Sequence, residues 1–408
     1  MLRNRFLVAF GAATLIAPLA AISASAQTAT LDKNVTVSGQ GSTFMSNFME
    51  QCKVDVKNAF GINVAYQPTG SGAGRTAYLA GTNEFGGSDV AFTASELPRT
   101  KDKPFVYIPL TIGGIAVIYK VPGVNDLKLS GPTLAKIFAG AIQKWNDEAI
   151  AKENPGAGLP DQVIRVIVRS DSSGTSNVFS DYLATVGKGA WKAGATSNFP
   201  PPAGNGIAQR GSDGVTNYVA GSQGDYSITY SEVSFATERK LSVAKVINAA
   251  GNAVLPDPAN VTEAMGEAAV NDDGTLFLNF NAPGQIAYPI STTAYLIVPQ
   301  TLDKAKGDVL RTFLTYSVGE CQKKAEKNGY APLPASLVKL SLTNVDKINP
   351  GSAAVPTVGG APAASPSSAA PTTAKPAAVT AAPTTKATAT TKKKPVAKKV
   401  AKKTTKKK

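Results

Sequence analysis

Three short segments of the chain gather residue types that suit an anion. They are Gly39-Gln40-Gly41-Ser42-Thr43-Phe44, Thr69-Gly70-Ser71-Gly72-Ala73-Gly74 and Arg169-Ser170-Asp171-Ser172-Ser173-Gly174-Thr175-Ser176. Each combines glycine with hydroxyl side chains where a strand pattern gives way to a helical one. Glycine lets the main chain come close to a ligand. The first N–H groups of a helix lack helical partners and carry a partial positive charge. Any one of these turns, taken alone, reads as a helix cap in which Ser or Thr accepts from the backbone. Three in one chain, one of them opening on an arginine, point to a shared anion.

Other chemistries are excluded. The chain has no histidine, which removes Ser-His-Asp triads, His-ligated zinc and histidine general bases. Two cysteines cannot make a four-thiolate site. No Gly-x4-Gly-Lys-Ser/Thr string is present, so there is no P-loop. Arg75 stands where a dinucleotide fingerprint beginning at Gly70 would need glycine, and no Gly-x-Ser-x-Gly elbow surrounds Ser173. A phosphatase would have to use Ser173 or Thr43 as nucleophile without a histidine base or an evident metal-binding carboxylate cluster. We expect no catalytic residue, no metal and no cofactor.

The elements that must position these turns alternate in type. Val35-Thr36-Val37 reads as a strand. Phe44, Met45, Phe48, Met49, Cys52 and Val56 then follow helical spacing, and Ile62, Val64 and Tyr66 alternate as a strand should. A helix over residues 75–79 follows the second turn, with Arg75 expected to face solvent. Residues 106–117 form a long apolar run, read as two strands meeting at a bend at Gly113-Gly114. A helix at Leu134, Ile137 and Phe138, a strand over 164–168, and a helix at Val178, Phe179, Tyr182 and Leu183 come next. A late strand over 294–298 leads into a helix over 303–324. No internal repeat is evident. The alternation predicts an α/β fold with mainly parallel sheets.

The two ends differ from the body. Arg3 and Arg5 precede an apolar run over 6–22, followed by Ala24-Ser25-Ala26. That pattern predicts a signal peptide, residues 1–26, cleaved after Ala26; a membrane anchor is the alternative, and the run is marginal for one. From about 351 to 408 the chain is Ala, Pro, Ser, Thr and Lys, without an acidic or aromatic residue. Such a composition buries too little apolar surface to offset ordering entropy, so a disordered tail is expected. The tail's twelve lysines with Arg3 and Arg5 account for the whole net charge of +14. The body is formally neutral, and its anion site has to be local. Cys52 and Cys321 are compatible with one disulfide in an exported chain; two separate buried thiols are the alternative.

On these residues the chain resembles the periplasmic phosphate-binding proteins of bacterial high-affinity ABC importers. The markers are the first turn, Gly70-Ser71-Gly72, Gly87-Ser88-Asp89 and residues 169–175. Lys144-Trp145-Asn146-Asp147, Ser212-Asp213-Gly214, Pro289-Ile290-Ser291-Thr292-Thr293 and Gly329-Tyr330-Ala331-Pro332-Leu333-Pro334 support them. The resemblance spans residues 35–334 and leaves the lysine-rich tail outside. It implies a two-domain clamshell: domain I over 34–112 and 290–348, domain II over 113–289, with crossings near 112–114 and 288–291. It also implies phosphate held by the backbone of Thr43 and Phe44, the hydroxyls of Thr43 and Ser71, and Arg169, Ser173, Gly174 and Thr175. Asp171 would fix the fork of Arg169, and Asp89 would accept a proton from the ion.

That role for Asp89 has its own logic. Near neutral pH phosphate keeps a proton and sulfate has none. A buried carboxylate therefore accepts a hydrogen bond from phosphate and only repels sulfate. Implied partners are inorganic phosphate and the membrane permease of an ABC importer, in the periplasm or cell envelope, with the protein itself a monomer. A cell-envelope polyanion-binding or adhesion protein that uses the tail is the second reading.

Overall fold

The computed structural model describes residues 28–266 and 268–358. The expected signal segment and the lysines of the tail lie outside the described residues. The chain runs β1 (Thr36–Gly41), α1 (Ser46–Phe60), β2 (Asn63–Pro68), α2 (Ser71–Ala80), β3 (Phe85–Ser88) and the long β4 (Phe105–Lys120). It continues through β5 (Lys128–Ser130), α3 (Gly131–Phe138), α4 (Glu148–Glu153), β6 (Arg165–Arg169), α5 (Gly174–Val186), β7 (Gly206–Gln209) and α6 (Gly211–Ala220). Then come β8 (Ser227–Glu232), α7 (Val233–Glu238), β9 (Ser242–Ile247), β10 (Ala253–Val254), α8 (Pro258–Met265), β11 (Ala269–Val270) and β12 (Leu276–Phe277). The last elements are β13 (Ser291–Pro299), α9 (Lys304–Val318) and α10 (Ala335–Val345).

The main sheet has the order β2-β1-β3-β13-β4-β8-β6-β7. Its flanks are parallel: β1 pairs with β2 and β3, and β6 pairs with β7 and β8. At the centre β13 and β4 run antiparallel to their neighbours. The parallel flanks are the βα units that the alternation of elements predicted. Their carboxyl ends, where open α/β sheets take ligands, carry all three glycine- and hydroxyl-rich turns.

The apolar run over 106–117 lies inside β4, a single strand of 16 residues that is unbroken at its glycines. Buried along nearly its whole length, it reads as an unbroken apolar run, as strands covered on both faces do. What changes at Gly113-Gly114 is the partner. The β13 ladder reaches Ser291 opposite Gly114, and the β8 ladder begins at Ile115 opposite Glu232. The glycines are there for space. A Cβ on Gly114 would lie 2.4 Å from Cβ of Pro256, and one on Gly113 would lie 3.0 Å from the ring of Phe44.

Two further expectations shift at their edges. The late helix ends at Val318, because Gly319 leaves helical backbone (φ −111°, ψ −95°), and Glu320–Lys324 tighten into a 3₁₀ turn. Cys321 on that turn is disulfide-bonded to Cys52 on α1, with Cα atoms 5.7 Å apart and a sequence separation of 269. In the chain-entropy picture a loop of that size is worth roughly 3–5 kcal/mol at most. The segment read as tail from 351 is packed at its start. Arg311 donates to the carbonyl of Ala353 at 3.0 Å, Ala29 N–H donates to the carbonyl of Ala354 at 2.8 Å, and Val355 is buried. The body therefore extends past 350. Composition could not show this, because the packing is supplied by Arg311 of α9 and by Ala29.

Candidate anion site

The first turn leaves β1 at Gly41. Its φ of +146° and its closeness to β3 both require glycine: a Cβ there would lie 2.0 Å from the carbonyl oxygen of Gly87. Ser42 N–H donates to that carbonyl at 3.0 Å. The Ser42 hydroxyl donates to Oδ1 of Asp89 and accepts from the N–H of Phe44 at 3.0 Å. Phe44 offers only its backbone, since its ring is fully buried against Tyr330. The hydroxyl of Thr43 lies 2.8 Å from that of Ser212 at the start of α6 and accepts from the Ser212 N–H at 3.3 Å.

The second turn is locked onto the other two. Gly70 N–H donates to the carbonyl of Gly41 at 2.7 Å, and Gly72 N–H donates to the carbonyl of Ser172 at 2.9 Å. Gly70 has φ +101°, and a Cβ on it would lie 2.4 Å from Oδ2 of Asp171. Ser71 begins α2, and its hydroxyl accepts from the N–H of Asp89 at 3.3 Å.

The third turn carries the cation. Arg169 ends β6, is 2% exposed, and forks onto Asp171, with Nε to Oδ1 at 2.7 Å and Nη2 to Oδ2 at 2.5 Å. Its Nη1 donates to the hydroxyl of Ser212 at 3.3 Å. Asp171 also accepts from the N–H of Gly211 at 2.9 Å. Burial works against its charge, but the hydrogen bonds and the positive charge of Arg169 outweigh burial and hold the carboxyl below its ordinary value. Ser173 caps α5 by accepting from the N–H of Ser176 at 3.0 Å. The N–H groups of Gly174 and Thr175 are the first of that helix and have no helical acceptor. Gly174 faces the second turn so closely that a Cβ would lie 2.5 Å from the Ser71 hydroxyl and 2.8 Å from Cβ of Asp89.

Asp89 stands where the three turns meet. It is 4% exposed; Ser42 donates to one oxygen, and Thr175 donates to the other at 2.9 Å. Burial raises its pKa, and the two hydroxyls, Arg169 and Arg75 pull the other way. Thr43, Phe44, Ser71, Asp89, Arg169, Asp171, Ser173, Gly174 and Thr175 are thus gathered in one place. Its named charges are one arginine against two carboxylates. An anion held here would be held by directed N–H and O–H dipoles and the Arg169 fork, with no net positive field.

Two residues of this constellation, Ser42 and Ser212, are not among the anion-binding residues expected from the sequence. Ser42 lies inside the first string and Ser212 inside Ser212-Asp213-Gly214, so both signals were present. Their linking positions depend on contacts across the sheet. One expectation fails: Arg75 is 3% exposed and does not face solvent. Its Nε donates to Glu96 at 2.9 Å and its Nη1 to the Ser88 hydroxyl at 3.1 Å, because α2 packs directly on β3.

Residues 23–320 match the PBP superfamily domain. The phosphate-binding protein PstS of Xylella fastidiosa (strain Temecula1) is 37% identical over 319 residues, covering 75% of this chain and 84% of that protein. Phosphate-binding protein PstS 2 of Mycobacterium tuberculosis (strain H37Rv) is 37% identical over 315 residues, covering 72% and 82%. Among solved structures, the high-affinity periplasmic phosphate-binding protein PfluDING, bound with phosphate, aligns with a TM-score of 0.62 and 25% identity over 77% of this chain and 98% of its own. The phosphate-binding protein of Stenotrophomonas maltophilia shares the fold, with a TM-score of 0.62 at 20% identity over 76% of this chain and 93% of its own. The chain belongs to the PBP superfamily and, within it, to the PstS phosphate-binding proteins.

Proposed function

We propose that this protein binds inorganic phosphate where the three turns meet and hands it to the membrane permease of an ABC importer. The family is one of transport binding proteins and not of enzymes. The observation that carries the reading is Asp89, a buried carboxylate placed among hydroxyl donors and helix N-termini opposite the Arg169 fork. Arg169 and the N–H groups of Thr43, Phe44, Gly174 and Thr175 donate to the ion, with the hydroxyls of Thr43, Ser71 and Ser173; the Phe44 N–H turns to the ion from Ser42, while the Thr175 hydroxyl stays on Asp89. Asp171 fixes the fork of Arg169, and Asp89 accepts a hydrogen bond from the proton that phosphate carries and sulfate lacks. Residues 34–112 with 290–348 act as one lobe and 113–289 as the other. They are joined where β4 changes partner and where Ile115 N–H donates to the carbonyl of Ile290 at 2.8 Å, and closure swaps the ion's hydration for fixed dipoles.

The protein works outside the cytoplasm as a monomer after removal of residues 1–26. Its twelve tail lysines, which have no counter-charge in the tail, tether it to anionic envelope polymers through salt-sensitive attraction. Calorimetry on ligand-stripped protein tests the central reading. Phosphate should bind with a Kd on the order of micromolar or below, while sulfate and a phosphomonoester should bind far more weakly. No phosphate heat overturns it. Truncation after Val358 tests the tail: retention on isolated envelopes should be lost and phosphate affinity kept. Equal retention of the truncated form removes the tether.

A further inference from the structure

Arg75 donates to none of the three turns directly, yet it is as deeply buried as Arg169, with 3% of its surface exposed against 2%. A guanidinium is never neutral inside a protein, so burying one requires partners. Arg75 has two. Nε meets Glu96 at 2.9 Å, and Nη1 donates to the hydroxyl of Ser88 at 3.1 Å. Glu96 is itself fixed, accepting from the N–H of Thr93 at 2.8 Å. Ser88 precedes Asp89 directly, and its hydroxyl donates to the carbonyl of Val90 at 2.6 Å. The turn that presents Asp89 is therefore held on both sides by α2: Ser71 accepts its N–H, and Arg75, one helical turn later, holds the residue before it.

We propose that Arg75, anchored by Glu96, is a positioning residue that holds the turn Ser88-Asp89-Val90 and offsets the buried charge of Asp89, and so governs which tetrahedral oxyanions the site accepts. The inference rests on the phosphate reading. Arg75 never touches the ion; it acts through Asp89. Asp89 has to stay ionised to accept the proton of phosphate. The groups facing it are the Ser42 hydroxyl from the β1 turn, Thr175 from α5, the phenols Tyr66 from β2 and Tyr295 from β13, and the two cations Arg169 from β6 and Arg75 from α2. Among the described residues only these two cations favour the carboxylate through charge, and Arg169 is already bound in its own bidentate pair with Asp171.

The test is the pH profile of phosphate affinity, measured by calorimetry across pH 5–9 in the parent, Arg75→Gln, Arg75→Lys and Glu96→Gln. Phosphate's own ionisation is common to all four and cancels in ratios to the parent. Protonation of Asp89 removes the acceptor, so affinity fades on acidification. Arg75→Gln takes away a cation and should move that fading to higher pH by roughly half a unit. It should also lose several-fold in selectivity for phosphate over sulfate at pH 7. Glu96→Gln leaves Arg75 without its counter-charge and should move the fading to lower pH. Arg75→Lys keeps the charge and should hold the parent profile with only a small loss of affinity.

Opposite shifts from the two glutamine variants would support the proposal. Shifts of the same sign, or losses of affinity with no shift, mean that the ion pair is scaffolding and overturn it. Should Arg75→Gln not fold, the Glu96→Gln and Arg75→Lys profiles still decide. A parent that binds no phosphate at any pH overturns the functional reading instead, which is a separate outcome.

Discussion

Asp89 and Glu232 are both buried carboxyl groups, 4% and 0% exposed, and they lie on either side of the turn at Phe44. On one side Ser42 links the Phe44 N–H to Asp89. On the other, Tyr330 donates to the Phe44 carbonyl at 2.6 Å and its phenol faces Glu232. Burial pushes both carboxyls up. For Asp89 two hydroxyls and two arginines resist. For Glu232, burial acts against only the hydroxyl and N–H of Ser234 and the phenol of Tyr330, with Glu238 adding to the rise, and its pKa reaches about 8. The carboxylate proposed as the acceptor has cations beside it. The one that caps a helix at the change of strand partner is left to keep its proton. Burial alone does not tell a binding carboxylate from a structural one; the charges around it do.

Removing the cation on the ligand side is the strongest test of that contrast. Arg169→Ala should cost about 100-fold or more in phosphate affinity, because a buried charged donor is lost and Asp171 is left half-buried without its partner. Titration calorimetry reads it directly. A loss of only a few-fold would mean that the helix N-termini carry the ion without help from charge.

Asp89→Asn comes next. An amide can donate to an unprotonated oxygen, which a carboxylate cannot. Phosphate affinity should fall by about tenfold, while sulfate binding, weak in the parent, should rise by more than that. If the variant rejects sulfate as well as the parent does, Asp89 is not the discriminating group, and the contrast with Glu232 loses its functional meaning.

Glu232→Gln should leave phosphate affinity nearly unchanged and alter stability. The sign follows from the raised pKa. The folded state holds the Glu232 proton up to about pH 8, whereas an unfolded chain releases it near the ordinary value for glutamate. The stability this group contributes is complete below that ordinary value. It is lost as pH rises toward 8, by roughly 1.4 kcal/mol per pH unit at most. A neutral amide has no such slope. Denaturant unfolding should show the variant gaining on the parent between pH 5 and 9. Parallel curves would mean that Glu232 is ionised in the folded protein.

The sequence carried this contrast unevenly. The turns were legible because glycine, hydroxyls and a strand-to-helix switch are local signals within eight residues. The fork of Arg169 is local too, its partner Asp171 two positions away. Arg75 was misread because its partner Glu96 lies 21 residues on, in a loop whose path no periodicity foretells. Glu232 drew no notice, since one glutamate at the end of a strand looks like any solvent-facing one. Only the pairing of β8 with β4, and the approach of Tyr330 from near the other end of the body, bury it. The glycine pair in β4 read as a bend because the neighbours that need its space, Pro256 and the ring of Phe44, are far away in the chain.

The smallest effects should come from the serine hydroxyl that donates to each carboxylate. Ser42 donates to Asp89 and Ser234 donates to Glu232; each serine also takes part in a second contact, with the Phe44 N–H in one case and the amide of Asn47, at 2.8 Å, in the other. Replacing either serine with alanine removes one donor to a buried carboxyl, worth about 1–2 kcal/mol. Where that loss appears should differ. In Ser42→Ala it falls on the ligand side: phosphate affinity should drop by about three- to tenfold, and more at acidic pH, since Asp89 then protonates more readily. In Ser234→Ala a protonated Glu232 loses little, because the Ser234 N–H still caps it at 3.0 Å from both oxygens. Affinity should hold within about twofold, and thermal unfolding should shift by only a few degrees. Calorimetry and melting curves on the pair are enough to decide. If both alanines weaken phosphate equally, the Phe44 turn couples the two carboxylates. If neither does, Asp89 is held by Thr175 and the arginines without help from Ser42.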